Sequence, residues 1–190
     1  MSPGEEDGAP QELHHTPGAE LRETCRRTTR AEFERAHPHL WLVRELQAAT
    51  TQEPSFSTAF VAEDELRAGE LPLERRIAAA PQGFGFVPLK KTGRNPWKDR
   101  ILIGRATNND VVLRDGSVSK VHARAVQREG AWVITDASST NGTWVDGTQL
   151  AAGAASGALQ SRAVVKFGHV SCTVLGSGEV YDALAGGARR

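Results

Sequence analysis

Gly104–Thr143 reads GRATNNDVVLRDGSVSKVHARAVQREGAWVITDASSTNGT, and the fold is decided here. Three polar clusters lie in it: Gly104-Arg105, Ser119-Lys120-Val121-His122, and Thr140-Asn141-Gly142-Thr143. Short apolar runs with strand chemistry separate them, Val111 to Leu113, His122 to Val126, and Trp132 to Ile134. The pattern predicts loops that carry polar groups at one end of a rigid β scaffold, where binding sites concentrate. Arg, Ser, Lys and Asn are all donors, and none has the base beside it that a nucleophile needs. Such a set suits an anion with several oxygens, such as a phosphate.

The strand texture extends outward on both sides. Phe84 and Phe86 alternate with Gly85 and Val87, a strand signal. Ile101-Leu102-Ile103 is continuously apolar, as in a strand covered on both faces. Lys91 to Pro96, Thr107 to Asp110, and Asp115-Gly116 are turn clusters. Glu129-Gly130 and Asp146-Gly147 each sit between strand-like runs and predict tight hairpins. Val164 to Phe167 and Val170 to Leu175 form a further pair around Gly168-His169, and Glu179 to Ala185 reads as a short closing helix. Many short strands at close spacing predict an all-β sandwich or barrel.

The N-terminal part reads differently. Residues 1–30 are rich in Gly, Pro, Glu, Thr and Arg, with Leu13 and Leu21 as the large apolar residues, so a disordered tail is expected. Residues 31–82 read as an extension of mixed or helical character packed on the main domain. Ala31 to Arg35, Ala62 to Arg67 and Leu73 to Ala80 have helical composition, and His39 to Leu46 fits a helix face or a short strand equally well. His14-His15, and His37 and His39 around Pro38, read as solvated imidazoles rather than metal ligands.

Composition narrows the function. The formal net charge is +0, so no global field drives the chain onto nucleic acid or anionic lipid. The charge is uneven, however: Lys90 to Arg128 carries ten basic and three acidic residues, a formal +7. Nucleic-acid binding through this segment lacks an interleaved aromatic stripe. Cys25 and Cys172 make neither a disulfide framework nor a zinc site, and Cys172 reads as a small core residue. No apolar run reaches the ~18 residues of a membrane span, and the acidic N-terminus is unlike a secretory signal. A cytoplasmic protein without membrane insertion is expected. No metal set, activated nucleophile or phosphate-loop signature is present, so neither an enzyme nor a cofactor is expected.

Gly104-Arg105, Ser119-x-x-His122, Asn141-Gly142-Thr143, and Phe167-Gly168 before a last strand together resemble the forkhead-associated (FHA) domain in its bacterial form. The resemblance spans roughly residues 84 to 175 and implies an FHA-type β-sandwich of about eleven short strands. The expected organisation is then 1–30 tail, 31–82 extension, 83–176 FHA domain, and 177–190 short helix and tail. The family reads phosphothreonine in partner proteins through charged donors. By resemblance, Arg105, Ser119, Lys120, Thr140 and Asn141 contact the phosphopeptide, while Gly104, His122, Gly142 and Thr143 support them. His122 is then a brace between loops and not a base. The function implied is a phosphothreonine-binding adaptor in a bacterial Ser/Thr kinase pathway, with a kinase or its substrate as partner. The alternatives are a phosphate-independent scaffold of the same fold, and a regulator that phosphorylation of its own Thr28 or Thr29 switches off by a folded-back tail.

Overall fold

The computed structural model describes residues 15–46 and 71–186. Two sheets face each other. Seven strands form the first, in the order β1-β3-β2-β11-β10-β8-β9, and four form the second, in the order β5-β4-β6-β7. In chain order the strands are β1 (Thr16–Pro17), β2 (Trp41–Glu45), β3 (Phe84–Pro88), β4 (Ile101–Gly104), β5 (Val111–Val112), β6 (Ala123–Arg128), β7 (Ala131–Asp136), β8 (Thr143–Val145), β9 (Thr148–Gln149), β10 (Val164–Phe167) and β11 (Val170–Leu175). Four α-helices accompany them: α1 (Gly18–Arg27), α2 (Arg30–Ala36), α3 (Leu73–Ala79) and α4 (Ser177–Ala185).

The pleat explains why the seven-stranded sheet is apolar on both sides. In β2, Leu42 enters the core between the sheets, with Ile103, Ala125, Ile134, Val165, Phe167 and Val174. Its neighbours Trp41 and Val43 point the other way, into a second core with Phe84, Phe86 and Leu175. The helices close that second core with Leu21 and Cys25 of α1, Phe33 of α2, Ile77 of α3, and Val180 and Leu184 of α4. Each of these large side chains contributes about 1.5–3 kcal/mol by leaving water. The expected sandwich of about eleven strands and the helices of the extension and C-terminus are present, and the all-β class is corrected in that the helices form a third layer on the two sheets.

The tail and extension need correction as well. Gly18–Arg27, inside the expected disordered tail, is a helix with Leu21 and Cys25 buried. Two apolar side chains four residues apart give it one sticky face, which a docking site satisfies. The boundary at residue 82/83 does not hold either. Trp41–Glu45 is a strand between β3 and β11, pairing Val43 with both Phe86 and Thr173. A short segment apolar at Trp41, Leu42 and Val43 has no period to read, because both its faces are covered. Ala62 to Arg67 lies outside the described residues.

His37 and His39 are not free surface imidazoles. The His39 ring packs 4.8 Å from Trp41 and that of His37 lies 4.5 Å from Phe33. Trp41 Nε1 donates to Ser177 Oγ at 3.0 Å, and that hydroxyl donates to the carbonyls of His37 and His39. Among the described residues no cluster of His, Cys, Asp or Glu is arranged to hold a metal. No described helix is long and apolar enough to cross a membrane.

The hairpins follow the sequence closely. Glu129 and Gly130 both have positive φ (50° and 81°), as do Asp146 and Gly147 (48° and 79°). Two successive positive φ values are the signature of turns whose twist matches that of the flanking strands.

Candidate functional site

The three polar clusters meet at one end of the sandwich. β4 ends at Gly104, so Arg105 is the first residue beyond the sheet. Its backbone N–H donates to Ser119 O at 3.0 Å, and Ala106 N donates to Lys120 O at 3.2 Å. The loop after β4 is thus clasped to the loop before β6. The loop after β7 joins through Ser119 Oγ, which accepts from Thr140 N at 3.0 Å and lies 3.3 Å from Thr140 Oγ1. Asn141 Nδ2 donates to Ser117 O at 2.8 Å, which leaves its Oδ1 available. Arg105, Lys120, Thr140 and Asn141 are exposed and Ser119 half-buried. The guanidinium of Arg105 and the ammonium of Lys120 have no ion-pair partner among the described residues. The structure therefore places all five candidate contact residues on one rim, with two free positive charges and a hydroxyl between them.

The supporting residues are buried beneath that rim. His122, immediately before β6, is fully buried. Its Nδ1 accepts from Ser119 N at 3.0 Å, so the ring proton sits on Nε2, which faces Gly142 O at 2.9 Å and donates to it. The ring is a strut between two loops, held edge-on to Phe167 at 5.9 Å. His122→Ala removes the partner of one buried N–H and one buried C=O. A loss of about 1–3 kcal/mol in stability is expected, measurable as a lower denaturant midpoint with the slope unchanged.

Gly104 supports the site by proximity and not by bending. A Cβ there would stand 2.4 Å from Lys120 O and 2.9 Å from Asn109 Nδ2. Only glycine lets β4 approach the Ser119-Lys120 loop closely enough for the clasp. Gly142 has φ +82°, so it does supply a turn in which other residues are strained. Thr143 Oγ1 donates to Asp136 Oδ1 at 2.7 Å and is fully buried.

Three supporting residues were missed by sequence reasoning. Asp136, at the end of β7, accepts from Ser139 N at 3.0 Å, from Ser139 Oγ at 2.6 Å and from Thr143 Oγ1. Burial pushes its pKa up, but these bonds outweigh burial and hold it below the usual carboxylate range. Asn109 is fully buried, and its Nδ2 bridges Ala106 O at 2.9 Å and Lys120 O at 2.6 Å. Asp110 accepts from Lys91 Nζ, Asn95 Nδ2, Thr92 N, Thr92 Oγ1 and Leu102 N, each at 2.9 Å. It ties the turn cluster before β4 to the loop after it. The usable signal was Asn109-Asp110 beside Val111, short polar residues immediately before a buried strand.

Thr28 and Thr29 lie elsewhere, at the junction of α1 and α2. Thr29 caps α2 in a reciprocal box with Glu32: its N–H donates to Glu32 Oε2 at 2.7 Å, and its Oγ1 accepts from Glu32 N at 3.3 Å. Thr28 O accepts from Tyr181 OH of α4 at 3.0 Å. A helix docked on each side anchors the pair. The free, foldable tail that the switch required is not what surrounds these threonines.

Residues 101–168 match the family described as the FHA domain. The chain carries an FHA domain. The FHA domain-containing protein FhaB of Mycobacterium tuberculosis is 46% identical over 46 residues, which cover 24% of this chain and 30% of that protein. FhaB of Mycolicibacterium smegmatis matches to the same extent. The chain thus spans under a third of the length of the curated relatives it matches. Among solved structures, Mycobacterium tuberculosis EmbR in complex with a low affinity phosphopeptide is 28% identical, covering 41% of this chain and 20% of that one, with a TM-score of 0.37. The FHA domain of CT664 from Chlamydia trachomatis is 18% identical, covering 72% and 96%, with a TM-score of 0.43. FHA domains are a family of phosphothreonine-binding modules, typically non-catalytic.

Proposed function

We propose that this chain is a phosphothreonine-peptide-binding adaptor, acting in a bacterial Ser/Thr kinase pathway with a phosphorylated kinase or substrate as partner. One observation carries the reading: Arg105, Ser119, Lys120, Thr140 and Asn141 share one rim, cross-linked by the clasp of Arg105 N to Ser119 O and the bond from Thr140 N to Ser119 Oγ. Phosphothreonine brings about −1.5 to −2 charge and three acceptor oxygens. Arg105 meets two of those oxygens with two parallel donors, a geometry that a lysine cannot reproduce. Ser119 donates a hydroxyl hydrogen bond, and Lys120 adds a mobile point charge. Asn141 offers its free Oδ1 to a backbone N–H of the bound peptide. Because His122, Gly142 and Asp136 fix the loops beforehand, little ordering remains to be done on binding. No step of bond making is assigned to this site, since no base adjoins a nucleophile.

The test is a calorimetric titration with a threonine peptide from an oriented array, phosphorylated and unphosphorylated. Binding is expected only with the phosphoryl group, and it should weaken as salt rises, as charge pairing at an exposed rim requires. Equal affinity for the two peptides would assign the chain to the phosphate-independent scaffolds instead.

A further inference from the structure

A second concave surface lies at the other end of the sandwich. Gln127 at the end of β6 stands opposite Trp132 at the start of β7, whereas Ala123 and Asp136 mark the end with the Arg105 loops. Gln127 is five residues from His122, about 17 Å along an extended strand. The cleft there has a volume of about 530 Å³. Leu89, Ile101, Pro38 and Trp132 supply apolar wall. Lys90, Lys91, Lys98 and Arg100 supply basic wall, against a single acidic residue, Asp99.

Not all of those charges are available. Lys91 is held by Asp110 at 2.9 Å, and Arg100 by Asp99 at 2.6 Å. Lys90 and Lys98 are exposed, and their ammonium groups have no ion-pair partner among the described residues. Beside them Arg100 lies over the exposed ring of Trp97, 5.0 Å from its centroid. His39 also lines the cleft, and its buried Nε2 has no hydrogen-bond partner among the described residues. Burial, with Lys90 and His37 nearby, pushes this imidazole down to about 4, so it is uncharged at neutral pH.

We propose that this cleft is a binding surface for an acidic peptide segment bearing an apolar anchor residue, at the end of the sandwich opposite the Arg105 loops. Two ammonium groups without ion-pair partners among the described residues, together with an apolar wall, fit an acidic segment that buries one apolar side chain. A peptide fits better than a nucleic acid. A polyphosphate backbone needs a continuous track of cations, and two of the four cationic side chains here are already held by Asp110 and Asp99. The cleft shares no residue with the Arg105 rim, so it can bind whether or not that rim takes phosphothreonine. If both readings hold, one partner with a phosphothreonine and a separate acidic motif engages the domain at two points, and each raises the effective concentration of the other.

The test uses the full chain, isotope-labelled for NMR, titrated with the capped peptide EDEFEDE. Saturable shifts are expected at the Trp132 indole and at the amides of Lys98, Arg100 and Gln127, with Kd below about 1 mM. The exposed double substitution Lys90→Glu with Lys98→Glu should weaken this about tenfold or more and leave phosphothreonine-peptide affinity unchanged. Shifts confined to Arg105, Ser119 and Lys120, or equal binding of the basic peptide KRKFKRK, would overturn the proposal. So would tighter binding of a thymidine oligonucleotide that the double substitution abolishes. A dimer seen by ultracentrifugation and lost in the same variant would make a second copy of the chain the occupant, and the peptide assignment would fall.

Discussion

Arg105→Ala is expected to weaken phosphothreonine-peptide binding by ~2–5 kcal/mol, because it removes one partner of a hydrogen-bonded charge pair that binding desolvates. The fold should survive. The side chain is exposed and unpaired among the described residues, and the bonds that tie this loop to the next run through backbone atoms, Arg105 N to Ser119 O and Ala106 N to Lys120 O. Arg105→Lys separates charge from geometry: it keeps the positive charge and loses the paired donors, so part of the loss should remain. Ser119→Ala should cost less, since a neutral hydrogen bond contributes about 0.5–1.5 kcal/mol. Titration calorimetry gives the affinities and circular dichroism checks the fold. Undiminished affinity in Arg105→Ala would remove the basis of the functional reading.

Asp110→Ala should act on stability instead, by about 2–4 kcal/mol. The side chain is fully buried, and its removal strands Leu102 N in the interior at a cost of about 1–3 kcal/mol. Lys91, Thr92 and Asn95 lose their shared acceptor at the same time. The same carboxylate makes stability depend on pH. Burial alone would raise its pKa, but the bonds from Asn95, Leu102, Lys91 and Thr92 outweigh burial and hold it well below the usual range. A carboxyl with a depressed folded pKa stabilises fully above the unfolded value of ~3.9 and loses that contribution as pH falls further. Asp136 acts in the same direction. Urea melts at pH 7 and at about pH 3, below that unfolded value, should show a large drop for the natural chain and a smaller one for Asp110→Ala. An unchanged pH dependence in that variant would show that Asp110 is not the titrating support.

What the sequence made legible, and what it hid, follows from how local each signal is. Glu129-Gly130 and Asp146-Gly147 announced their hairpins because a tight turn demands special backbone angles from two adjacent residues. The polar clusters were legible because their donor chemistry is unusual between strands. Trp41-Leu42-Val43 was not, since covering both faces of a strand erases the alternation by which strands are recognised. Leu21 and Cys25 looked like isolated apolar residues in a polar tail, and only their docking on α4 and the sheet shows them as one face. Asp110 and Asp136 resembled any acid in a turn, because nothing local distinguishes a solvated carboxylate from one that collects several donors from distant loops.

The placement of β2 between β3 and β11 also sets the order in which the molecule can be completed. Thr173 must arrive before Val43 acquires its second neighbour, and the two are separated by most of the chain. Closing that long loop carries an entropic cost that the pairing of β2 with β11 must offset. During synthesis the seven-stranded sheet therefore stays gapped until its last strand has left the ribosome, and the helical layer cannot seal before then.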